Sequence, residues 1–126
     1  DYDAAAGTLD ERQQLSLLPP DYDGAVSSSE IRIHPYGRFV YAAHRGDSTI
    51  VIFSRDQNSG KLTRLGAVPT GGETPRNFAL SPDGAWLIAA NQNSDTLTTF
   101  KVDAETGALT ATGESTAVPH AVCVLF

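Results

Sequence analysis

One stretch of sequence occurs twice in succession in this chain. Residues Ile31–Val68 align with Phe78–Ser115 without a gap at an offset of 47, and 11 of the 38 pairs are identical. Among them are Pro35/Pro82, Gly37/Gly84, Thr49/Thr96, Phe53/Phe100, Asp56/Asp103 and Gly60/Gly107. A unit that recurs at a fixed period buries its apolar faces against copies of itself, so the period constrains the fold more than any motif does. A third copy begins where Pro119–Val124 is laid over Pro75–Leu80, and Gly7-Thr8-Leu9 echoes the tail of an earlier one at Gly60-Lys61-Leu62.

Each copy reads as four short strands. The first is Glu30–Ile33, and the turn after it, His34-Pro35-Tyr36-Gly37, matches Ser81-Pro82-Asp83-Gly84. Proline presets the negative φ of such a turn and glycine supplies its positive one. The second strand is Arg38–Ala43 and the third Thr49–Ser54, apolar on both faces as a strand sandwiched between two sheets must be. Asp56–Gly60 reads as a hairpin with glycine at its end, and Lys61–Val68 as the fourth strand. No stretch carries a sustained helical period with a cap. Four-stranded antiparallel units at this period predict an all-β fold of β-propeller blades, with a solenoid of hairpins as the alternative.

The 126 residues hold roughly 2.7 such repeats. The expected division is the end of a preceding blade with its link over 1–29, complete blades over 30–76 and 77–120, and the first strand of a closing blade over 121–126. Propellers close with about four blades or more, and four of 47 residues need 188. A partial propeller is therefore expected, with open faces that invite self-association or the missing blades. The chain starts at Asp1 and contains 0 Met, which reads as a processed product or a piece of a longer protein.

Composition narrows the partners. With 9 basic and 15 acidic residues the net charge is −6, so neither nucleic acid nor an anionic membrane is an expected partner. No apolar run is long enough for a membrane helix. The single cysteine, Cys123, forms no internal disulfide and suits a reducing compartment.

Several unlike runs occur together in a characteristic order. They are Glu30-Ile31-Arg32, Pro35-Tyr36-Gly37-Arg38-Phe39-Val40-Tyr41, His44-Arg45-Gly46, Thr70-Gly71-Gly72-Glu73-Thr74-Pro75-Arg76-Asn77-Phe78, Asn91–Asp95 and the ending Val122–Phe126. Together they resemble the C-terminal part of the seven-bladed propeller lactonases, the bacterial 6-phosphogluconolactonase type related to the fungal carboxymuconate cyclases. The resemblance covers residues 28–126 and implies the last blades of a chain near 329 residues. It implies a cytoplasmic enzyme that hydrolyses 6-phosphoglucono-1,5-lactone without a cofactor or metal. A non-catalytic propeller binding module and a lactonising cyclase are the alternatives, since propellers host many functions.

Antiparallel strands send successive loops to alternate ends. The loops after the second strand (His44–Ser48, Asn91–Asp95) and the links between blades (Thr70–Asn77, Ser115–His120) therefore share one face. Their residues differ between copies, whereas the turns of the opposite face repeat, so a site is expected on the former. Lactone hydrolysis needs an activated water, a stabilised oxyanion and, for a phosphosugar, a cation. Arginine suits the last two, and Glu or His suits base work. The catalytic candidates are Arg45, Glu30, Arg76 and His44; the substrate-binding candidates are Asn77, Asn91, Gln92 and His120. By resemblance, Arg45 matches an arginine proposed as catalytic in the cyclase branch, and Glu30 and Arg76 match recurrent positions of the lactonase branch.

Plainer roles compete with these. Glu30 and Arg76 suit an interblade salt bridge, Arg45 a cap on loop carbonyls and His120 a structural loop residue. His34 reads as a turn residue of the opposite face, Trp86 as core because it aligns with Phe39, and Cys123 as an apolar strand residue. Asp21-Tyr22-Asp23-Gly24 lacks the remaining ligands of a calcium loop. No zinc spacing, P-loop, dinucleotide fingerprint or Gly-x-Ser-x-Gly elbow is present.

Overall fold

The structure is a computed structural model that describes residues 1–126. Ten strands form and no helix does. A short hairpin, β1 (Tyr2–Asp3) and β2 (Thr8–Leu9), precedes two four-stranded sheets. The first sheet is β3 (Ser28–Ile33), β4 (Phe39–His44), β5 (Thr49–Arg55) and β6 (Leu62–Pro69). The second is β7 (Pro75–Leu80), β8 (Trp86–Asn91), β9 (Thr96–Val102) and β10 (Leu109–Ala117). Both are antiparallel meanders in sequence order, with β3 lying against β7. These are two propeller blades, as the repeat predicts.

The two blades bury their facing sides against each other. Because strand residues alternate, Phe39, Tyr41, Ala43, Ile50 and Ile52 of the first blade form one core with Phe78, Leu87, Ala89, Phe100, Val102 and Leu109 of the second. The other face of the first blade carries Val40, Ala42, Val51 and Phe53, and Leu17 and Leu62 pack on it. Gln13 secures that cover, its side chain exchanging bonds with the Leu62 backbone at 2.9 and 2.8 Å. The first blade's outward face, expected to lie open, is thus covered by the N-terminal segment.

Polar ties run along the same boundary. Tyr41 Oη donates to the Gly107 carbonyl at 2.9 Å, and Arg38 Nη2 reaches the Ala104 carbonyl at 2.7 Å. Burial pushes the Tyr41 phenol up to about 12, and the nearby Asp103 charge adds to it. His34 is a buried interblade contact as well as a turn residue. Its Nε2 lies 3.2 Å from the Gly84 carbonyl while Nδ1 accepts from the Tyr36 N–H, which fixes the tautomer.

The turn glycines are where the sequence requires them, at φ 72° for Gly37 and 73° for Gly84. The Asp56 and Asp103 hairpins also form. N–H groups of the turn, foremost those of Ser59 and Thr106 respectively, hold both carboxyls below the usual range.

Two expectations fail for one reason. Trp86 is 41% exposed, whereas its counterpart Phe39 is 6% exposed. On the alternation above, Trp86 faces away from the first blade, and no further blade covers it. Residues 121–126 likewise form no strand, because the chain offers them no second strand of their own repeat. Cys123 is exposed in this segment.

Candidate functional site

The loops after the second strands and the links between blades interlock on one face. Arg45 N donates to the Ser27 carbonyl at 2.7 Å and Thr70 N to the Ser48 carbonyl at 2.9 Å. Gln92 N donates to Thr74 at 3.0 Å, and Val118 N to Asp95 at 2.8 Å. Ser48 and Asp95, at equivalent positions, hold positive φ of 55° and 54° to make these contacts. Two crowded glycines let the loops and links approach. A Cβ on Gly46 would fall 1.9 Å from the Ala25 carbonyl, and one on Gly72 2.6 Å from Asn91 Cβ.

Arg45 leaves the first of these loops half-buried. Its Nε is buried and makes no hydrogen bond within the chain, and its guanidinium joins no ion pair. A buried guanidinium N–H without an acceptor is costly, so this group is suited to an incoming anion. Gln92 holds the equivalent position in the second blade and is also half-buried. Arg76 sits in the bulge between Pro75 and Asn77, exposed and outside any ion pair. Bulges re-aim side chains in this way.

Glu30 and Arg76 do not pair. The Glu30 carboxylate instead takes the Ile31 N–H at 3.1 Å, Arg32 Nη2 at 3.3 Å and the Asn77 side-chain amide. With three donors supplied, it has little capacity left as a base. Asn77, expected to bind substrate, is 8% exposed and committed at both ends of its amide: Nδ2 donates to Glu30 and Oδ1 accepts from Val124 N at 2.8 Å.

His44 is likewise committed. It is 1% exposed, its Nδ1 lies 2.8 Å from Asp47 Oδ1, and its Nε2 accepts from Ser27 N at 3.1 Å. Neither ring nitrogen is left for proton transfer. Asn91, its counterpart 47 residues on, donates through Nδ2 to Thr98 Oγ1 at 3.1 Å, and Thr98 Oγ1 donates to the Thr70 carbonyl at 2.6 Å. Asn91 Oδ1 is buried without a partner. Both residues brace a link between blades.

His120 is exposed on the same face at φ 49°. Its backbone N–H donates to Asp95 Oδ1 at 2.7 Å, and its Nδ1 lies 3.5 Å from that oxygen. It corresponds to Thr74, at φ 58°, rather than to Arg76 as the proline match suggests. Each precedes a buried residue, Ala121 and Pro75 respectively. Asp95 was not among the expected residues; its only sequence signal is that it stands where Ser48 stands one repeat earlier. No group of three His, Cys, Asp or Glu side chains converges as metal ligands do.

The candidates thus divide. Arg45, Arg76, Gln92 and His120 retain hydrogen-bonding capacity, and Asn91 retains it at Oδ1 while its Nδ2 braces a link, whereas Glu30, His44 and Asn77 are spent on holding blades, links and the C-terminal segment together.

Comparison with known proteins bears on this face. The sequence profile described as "Lactonase, 7-bladed beta-propeller" matches residues 1–126. A 6-phosphogluconolactonase of Bacillus subtilis is 38% identical over 126 residues, all of this chain and 36% of that protein. The structure of a protein from Lactobacillus plantarum superposes with a TM-score of 0.91 at 31% identity, over 97% of this chain and 36% of that one. A periplasmic gluconolactonase of Pseudomonas aeruginosa superposes at 0.87 with 34% identity, over 91% of this chain and 32% of that one. The chain spans about a third of the length of these relatives.

Proposed function

The chain belongs to the seven-bladed β-propeller lactonase family, and from that premise we propose that it forms part of a sugar-lactone hydrolase acting on 6-phosphoglucono-1,5-lactone. The observation that carries the proposal is the buried, unpartnered Nε of Arg45 on a face that also presents Arg76. Water adds to the lactone carbonyl, the carbonyl oxygen becomes an oxyanion, and the ring C–O bond then breaks to give the open-chain carboxylate. Fixed cationic donors stabilise that oxyanion, and a second arginine recognises the phosphate bidentately. With Glu30 and His44 committed elsewhere, His120 is the base we assign, its Nδ1 side turned to Asp95. A phosphorylated substrate and a lone thiol both suit a cytoplasmic location.

The resemblance to a gluconolactonase favours a second reading, in which the lactone carries no phosphate. The two separate in one experiment. The full-length polypeptide is assayed on glucono-1,5-lactone with and without the 6-phosphate, as wild type, Arg45→Ala and Arg76→Ala. A loss of about 100-fold in kcat for one arginine is expected, with the other raising KM for the phosphorylated lactone alone. Full activity of both variants on both substrates would remove the arginines from the reaction.

A further inference from the structure

Two loops of the candidate face hold their links by different means. Ser27 and Thr74 stand at the same place in consecutive repeats, and each offers its carbonyl to the loop beside it, to Arg45 N at 2.7 Å and to Gln92 N at 3.0 Å. Their N–H groups go separate ways. Thr74 N donates to Ser48 Oγ at 3.1 Å, whereas Ser27 N donates to His44 Nε2 at 3.1 Å. Of the two, the loop that carries the arginine closes on its link through a ring.

A backbone N–H can only donate, so His44 Nε2 carries no hydrogen and the ring's hydrogen sits on Nδ1. Asp47 Oδ1 takes it at 2.8 Å, and Thr49 Oγ1 donates to the same oxygen at 2.8 Å. The bonds form one chain that leaves the loop at His44, passes through Ser27 and returns to the loop at Arg45 N. In the second blade Ser94, the counterpart of Asp47, takes the Glu73 N–H directly at 3.0 Å with no ring between. The Tyr22 ring meets His44 edge-on, their centroids 5.5 Å apart.

The consequence falls on Arg45, because the link touches the loop on both sides of it. Ser27 bonds His44 and Arg45 N, and at Gly46 a Cβ would fall 1.9 Å from the Ala25 carbonyl and 2.6 Å from Tyr22 Oη. The arginine side chain, buried at Nε without an acceptor, therefore starts from a fixed backbone. A fixed cationic donor suits charge that appears only in the transition state, since it need not reorganise to meet it. Arg76 stands exposed on a bulge instead.

We propose that Asp47 and His44 are positioning residues for Arg45, the arginine that meets the oxyanion. Asp47 holds the hydrogen of His44 on Nδ1, the bare Nε2 clasps Ser27, and the clasped link holds the backbone from which Arg45 reaches the lactone. The inference rests on the lactonase reading given above. In Asp47→Ala the ring loses its acceptor. The N–H of residue 47, 3.4 Å from Nδ1, then favours the opposite tautomer, whose Nε2–H opposes the Ser27 N–H.

The full-length polypeptide is assayed on glucono-1,5-lactone with and without the 6-phosphate. Asp47→Ala is expected to lower kcat by as much as about 100-fold on both lactones, with KM held near the wild-type value. Adding His44→Gln, whose side-chain oxygen can accept the Ser27 N–H whatever stands at position 47, should restore much of that kcat. Should Asp47→Ala not fold, Asp47→Asn carries the test. Its amide keeps an oxygen for Nδ1–H without the charge, so a smaller loss of kcat is expected. Nitrogen NMR of the wild-type imidazole should show hydrogen on Nδ1 and none on Nε2. The opposite tautomer, an unchanged kcat in the folded Asp47 variant, a rise in KM alone, or no recovery with His44→Gln each overturns the positioning role. Those outcomes leave the lactonase reading standing as long as Arg45→Ala is impaired, whereas a fully active Arg45→Ala overturns both.

Discussion

The side-chain amide of Asn77 donates to the carboxylate of Glu30 across the boundary between two blades, and the two residues hold the same place in consecutive repeats. The other end of the amide accepts the Val124 N–H at 2.8 Å, so one side chain ties both blades to the C-terminal segment. Asn77→Ala would remove both the donor to Glu30 and the acceptor of the Val124 N–H. It should cost about 1–3 kcal/mol and speed hydrogen exchange at Val124. Unaltered exchange there would show that the bond does not hold the segment.

Gly37 and Gly84 share a turn position and a positive φ, so Val or Ala at either should cost about 1 kcal/mol or more. They differ in surroundings. A Cβ on Gly84 would fall 2.4 Å from His34 Nε2, whereas the nearest atom to one on Gly37 is 4.0 Å away. Gly84→Ala should therefore lower the denaturant midpoint further than Gly37→Ala. A double-mutant cycle with His34→Ala should erase most of the difference, and an undiminished difference would mean that the imidazole is not the obstacle.

Tyr41 gives a pH signature. Its phenol is raised to about 12 from 10.0, so the unfolded chain loses its proton first. Tyr41's contribution is complete below pH 10 and declines as pH rises towards 12, by about 2–3 kcal/mol in all. Tyr41→Phe should be less stable than wild type at pH 8, because the Gly107 carbonyl loses its donor, and the gap should narrow over that alkaline range. A gap constant with pH would mean that the hydroxyl is not buried in solution.

Lactone turnover should be at most about a hundredth that of full-length relatives when this chain is assayed alone. The proposed site lies on a face to which every blade contributes loops, and the chain spans about a third of the relatives' length. A coupled assay of 6-phosphogluconate formation decides this, and comparable turnover by the isolated chain would show a site complete within two blades.

The fold was legible because the repeat carries it: glycine, proline and alternating apolar residues act locally, and two copies corroborate each other. The site was less legible because bond partners lie in other segments. His44 looks available until Ser27, 17 residues earlier, is placed on its Nε2. Trp86 looks like core because Phe39 is, yet burial at that position belongs to the next blade's hairpin. The offset of 47 does bear on Glu30 and Asn77, whose acceptor and donor groups are complementary, but a carboxylate's charge points first to Arg76, which it does not meet.

His44 and Asn91 bring out what tandem duplication permits. An imidazole ties one link directly at Ser27, while an amide ties the next through Thr98, so different chemistry performs one mechanical task at the same place. After duplication, such a position is free to drift among side chains that reach the same strap. Divergence between copies therefore does not by itself mark a catalytic group. The informative contrast is at the neighbouring position, where Arg45 and Gln92 have also diverged and the arginine keeps an N–H that no group of the chain satisfies.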